Sequence, residues 1–104
     1  MNDVQGLTAL GAKMEHSLCM FVKESKLKIL EAEDLRKHIE AAGADNTIMS
    51  TDLGQTGNIR PLDGFRHGIG LCLDLGYSAA DIRKMFSTNA AKLFGLESLV
   101  KAAA

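Results

Sequence analysis

The chain has 104 residues, 46% hydrophobic and 24% charged, with a formal net charge of −1. That balance describes one small globular domain, spanning residues 1–104, and argues against a basic nucleic-acid-binding field. No apolar run approaches the ~20 residues of a membrane span, and residues 1–10 lack the basic start and apolar centre of a secretory leader.

Asp3 to Leu10 reads as a short helix, with Val4, Leu7 and Leu10 at helical spacing and Gly11 to close it. Leu18-Cys19-Met20-Phe21-Val22 is an apolar run that reads as a strand, and Lys23 to Lys28 as a charged, solvent-exposed loop. Glu31 to Ala42 carries Leu35, Ile39 and Ala42 on one face of a helix, with Gly43 as a left-handed cap. Ala44 to Met49 then reads as a buried strand that hands over at Ser50-Thr51-Asp52 to a loop, Leu53 to Arg60. Pro61 fits the first turn of the next helix, whose stripe is Leu62, Phe65, Ile69, Cys72 and Leu73 and whose end is Gly76. Ser78 opens a further helix with Ile82, Met85 and Phe86 inward, and Asn89 is placed to cap a last one closed by Gly95.

Two strands separated by a helix favour a parallel pairing with a right-handed crossover. A parallel sheet of two strands cannot cover both its faces, so the expectation is a piece of a larger assembly. Cys19 and Cys72 stand alone, with no CxxC, and read as reduced packing residues of a cytoplasmic protein.

Three motifs occur in order. The first runs from Gly43-Ala44-Asp45 through Ser50-Thr51-Asp52-Leu53-Gly54-Gln55 to Pro61, Gly64-Phe65 and Ile69. The second is Leu75-Gly76-Tyr77-Ser78 with Ile82 and Met85, and the third is Thr88-Asn89-Ala90-Ala91-Lys92-Leu93-Phe94-Gly95-Leu96. Together they resemble the C-terminal portion of amidohydrolase-like metal-dependent hydrolases. The match covers about residues 40–96, with Ala90 where the family usually has proline.

The resemblance implies an α/β fold, a partial (β/α)8 barrel made of the last two or so β/α units plus C-terminal helices. Full barrels of this kind take ~250 residues. It also implies a first strand ending near Glu15-His16-Ser17. By position, Asp52 would be the family's catalytic aspartate, which binds a divalent, zinc-like metal and takes the proton from the attacking water. His16 would be a second metal-binding candidate at the same mouth, and Gln55, Gly57 and Asn58 the loop over it. No H-x-H occurs in the chain, and His16, His38 and His67 lie at no short zinc spacing. His38 and His67 read as solvent-facing.

Each candidate has a plainer reading. Asp52 can cap its own loop through backbone amides, His16 can be an exposed or hydrogen-bonded loop histidine, and Gln55, Gly57 and Asn58 can be turn chemistry. Three functions therefore compete. The first is a fragment of a metal-dependent hydrolase of amide- or ester-type bonds, inactive and without a tightly held ion until its missing strands are supplied. The second is a non-catalytic module that assembles as a homo-oligomer or on a partner chain. The third is a helix-turn-helix DNA binder built from Leu62–Leu75 and Ser78–Phe86, with Arg83 and Lys84 on its second helix; the charge disfavours it.

Overall fold

The computed structural model describes residues 2–98. In chain order the elements are α1 (Asn2–Ala9), β1 (Met14–Ser17), α2 (Ala32–Ala42), β2 (Thr47–Ser50), α3 (Pro61–Asp74), α4 (Ala79–Arg83) and α5 (Asn89–Leu93). Short 3-10 turns at Leu18–Met20 and Ala44–Asn46 follow β1 and precede β2, and a π turn, Lys84–Thr88, joins α4 to α5 without a break.

β1 and β2 pair in parallel, with Met14 opposite Thr47, Glu15 opposite Ile48, His16 opposite Met49 and Ser17 opposite Ser50. The ladder runs one step further, because the Cys19 amide donates to the Thr51 carbonyl at 3.1 Å. Paired residues of parallel strands present their side chains to the same side. One face therefore carries His16, Thr47 and Met49, all buried, and the other carries Glu15, Ser17, Ile48 and Ser50. On that second face the Ser50 hydroxyl donates to the Glu15 carboxylate at 3.1 Å.

The expected partial (β/α)8 barrel is not formed. Among the described residues the sheet consists of these two four-residue strands alone, and the molecule is a small α/β fold. The parallel pairing itself is as expected. The apolar run at 18–22 is not a strand either. Leu18, Cys19, Phe21 and Val22 are all buried, and the amides of Phe21 and Val22 both donate to the Leu18 carbonyl at 3.0 Å. The run is a tight turn wound into the core, and the strand lies just before it, ending at Ser17. A short continuous apolar segment gives no period by which to tell these two outcomes apart.

The core gathers Leu18, Phe21, Val22, Leu35, Ile39, Met49, Cys72, Ile82 and Met85. α2 begins where the Glu31 amide donates to the Asp34 carboxylate at 2.9 Å, and ends at Gly43, whose φ is 84°. α3 seats the middle of the expected stripe, with Cys72 buried and Phe65 and Ile69 half-buried against the core, and adds Gly64 and Gly68 to its buried face. Leu62 and Leu73 are 61% and 55% exposed. A Cβ on Gly64 would collide with Leu53, and one on Gly68 would lie 2.5 Å from Leu18 Cδ1. The two glycines let α3 close down on the residues that follow each strand.

Ser78 caps α4, accepting from the Asp81 amide at 3.1 Å. Asn89 caps nothing. It sits inside the continuous helix with φ −63°, and its amide nitrogen donates to the carbonyls of Ala44 and Thr47 at 2.7 Å each. That pair of bonds fastens the last helix to the start of β2.

Candidate functional site

β2 stops at Ser50, Thr51 keeps one ladder bond, and Asp52 turns the chain. Its φ of 52° makes it the one non-glycine residue with positive φ among those described. Aspartate tolerates the left-handed region better than most residues, yet the conformation still carries strain. Asp52 is exposed and lies beyond the C-terminal ends of the parallel strands, the edge where such folds gather their chemistry.

The loop-capping reading of Asp52 fails on its hydrogen bonds. The Leu53 amide goes to the Thr51 hydroxyl at 3.4 Å, and the Asn58 amide to the Gln55 carbonyl at 3.2 Å. The Asp52 backbone carbonyl accepts from the Gln55 side-chain amide at 2.9 Å. Among the described residues no hydrogen bond ends on the Asp52 carboxylate, so that group is left to face outward. It also bears on its neighbour: burial first, and then the Asp52 charge, push the Cys19 thiol above its ordinary pKa.

The loop residues divide. Asn58 is structural, since its side-chain oxygen accepts from the amides of Lys26 at 3.0 Å and Ile59 at 2.9 Å. Gly57 takes φ 81°, the left-handed turn that only glycine adopts freely. Gln55 is exposed and spends its amide on the Asp52 carbonyl, which fixes the loop against the aspartate.

His16 does not share the Asp52 edge. It lies on the buried sheet face, 8% exposed, and its Nε2 is sealed from solvent without a hydrogen-bond partner. The ring centre of His38, on α2, is 5.6 Å away. Burial, and then repulsion from His38, lower the His16 pKa to about 4. His38 is half-buried where its sequence neighbours suggest a solvent-facing residue, with Phe21 packed edge-on against it at 6.5 Å. His67, by contrast, is on the surface, 44% exposed in its side chain, with Nδ1 3.3 Å from a Glu24 carboxylate oxygen.

The donors present do not fit a divalent catalytic ion. Among the described residues no group of three or more His, Cys, Asp or Glu side chains could hold one, and Asp52 stands without a second donor. A catalytic zinc takes about three protein ligands. Cys19 and Cys72 are both free and buried. No helix among the described residues is long and apolar enough to cross a membrane.

No family model, no curated protein and no solved structure matches the chain.

Proposed function

We propose that the chain is the aspartate-bearing portion of a cytoplasmic, metal-dependent hydrolase of amide- or ester-type bonds, silent alone and completed by association. The observation that carries this reading is Asp52: an exposed carboxylate at the strand ends, held in a left-handed turn, with no loop amide to satisfy. Strain of this kind persists where the surroundings fix a residue for a purpose. In the completed assembly Asp52 supplies one oxygen donor and a proton acceptor, and the remaining donors come from a second polypeptide. No catalytic step is assigned to the ion, because this chain offers it a single ligand.

The test is hydrolysis of activated esters and N-acyl amides, with zinc or manganese, across a range of protein concentrations. Turnover is expected to be absent from the chain by itself at every concentration, to appear only with a second polypeptide that supplies the remaining donors, and then to be lost in Asp52→Asn. Asp52-dependent turnover by the pure chain, or turnover that ignores Asp52→Asn, overturns the proposal.

A second reading, a non-catalytic assembly module, is favoured by the surface. Ile29, Leu62, Leu73 and Phe94 are 73%, 61%, 55% and 72% exposed, which is a large apolar display for a chain of this size. Each strand also keeps one edge unpaired with another strand among the described residues. Association without any Asp52-dependent turnover selects this reading. The helix-turn-helix reading is the weakest: Lys84 is tied to Asp45 at 2.9 Å rather than free for phosphate.

A further inference from the structure

The geometry points to a soft-metal site between the sheet and α2, in which His16, His38 and Met49 hold one monovalent copper ion. The site is separate from the Asp52 edge and does not depend on the hydrolase reading.

The starting point is the orphan nitrogen. His16 Nε2 is buried and makes no hydrogen bond, a condition that costs about 1–3 kcal/mol when nothing relieves it. Burial also keeps the imidazole neutral, as its lowered pKa of about 4 reflects, so its lone pair is available for coordination. The second imidazole is in place: the His16 and His38 ring centres are 5.6 Å apart, with their planes at 50°. Two imidazoles on one ion, each with a metal–nitrogen bond of about 2.0–2.1 Å, bring their ring centres to about 5–6 Å.

A third donor comes from the register. Met49 is the direct parallel partner of His16, so both side chains leave the same face of the sheet, and Met49 is 4% exposed. Thioether and imidazole donors with no carboxylate among them select copper(I) over zinc, manganese or magnesium. His38 is only half-buried, which gives an ion a way in from the α2 surface. The plain alternative is a pair of tilted rings filling space beside Phe21.

The test is an anaerobic titration of the full chain with copper(I) against a chromophoric copper(I) chelator. The expected result is one ion withdrawn from the chelator per chain, with a rise in the thermal midpoint that saturates at one equivalent. His38→Ala is expected to weaken binding tenfold or more, Met49→Leu to weaken it while keeping the core volume, and His67→Ala to leave it unchanged. If His38→Ala fails to fold, Met49→Leu decides. A chelator that keeps all the copper overturns the proposal. So does copper held equally well by His38→Ala and Met49→Leu, which would place it on Cys19 or Cys72.

Discussion

Gly68→Ala in α3 sets two opposing terms against each other. An exposed helical glycine replaced by alanine gains about 1 kcal/mol from backbone entropy and propensity. At position 68 the new methyl would lie 2.5, 2.8 and 3.1 Å from Cδ1, Cδ2 and Cγ of Leu18. Leu18 is 0% exposed and cannot swing aside, so its whole branched end must move into the packed core. Overpacking of that order costs about 1–3 kcal/mol, leaving a net loss of about 0–2 kcal/mol. Gly70 is the internal control, since it lies on the same helix and a Cβ there meets nothing within 4 Å. Gly70→Ala is therefore expected to stabilise by up to about 1 kcal/mol. Urea unfolding followed by circular dichroism, with the slopes checked for constancy, measures both. Gly68→Ala made in a Leu18→Ala background should recover the propensity gain. Equal effects at positions 68 and 70 would refute the close approach of α3 to the residue that follows β1.

Asn89→Leu leaves the Ala44 and Thr47 carbonyls without their donor inside the fold and is expected to cost about 2–4 kcal/mol in urea unfolding; a loss under about 0.5 kcal/mol would remove Asn89 as the fastener of the last helix. Tyr77 is the one tyrosine, there is no tryptophan, and burial followed by its hydrogen bond to Glu40 at 3.1 Å pushes its pKa up to about 12. Because the folded value is raised, the stabilisation is complete below about pH 10 and fades as pH climbs towards 12. Phenolate absorbance should show one late transition that moves earlier in Glu40→Gln; a midpoint near pH 10 in the native chain contradicts the packing of Tyr77 and its bond to Glu40. Asp52→Gly relieves the left-handed strain at φ 52° and is expected to raise stability by up to about 1 kcal/mol, while Asp52→Ala lowers it; the reverse order in thermal unfolding would show that the turn is not strained.

Much of the helical layout follows from local chemistry. Pro61 starts α3, Ser78 caps α4 and Gly43 closes α2, because each of these devices acts through its own backbone neighbours. The position of Asp52 just past a strand is legible for the same reason. What failed to show depends on contacts between distant segments. Gly64 and Gly68 are buried in α3 because Leu18 and Leu53 need the room, so the apolar stripe misses them and overreaches at Leu62 and Leu73. Asn89 has the composition of a cap, but its donors reach carbonyls 42 and 45 residues away. His38 is flanked by polar neighbours, yet His16 and Phe21 draw it inward. The barrel expectation rested on short motifs that describe single β/α steps, and such motifs do not specify how many strands close a sheet. The pairing of Met49 with His16 carries no sequence spacing at all; register alone brings them together.

Sedimentation equilibrium over a wide concentration range tests most directly whether the Asp52 site is one to be completed by association. The exposed Ile29, Leu62, Leu73 and Phe94 and the unpaired strand edges predict a mass above 11.2 kDa that grows with concentration, together with a concentration-dependent thermal midpoint. A single species at 11.2 kDa, unfolding cooperatively at a midpoint independent of concentration, would show that the chain closes its own core and would contradict the account.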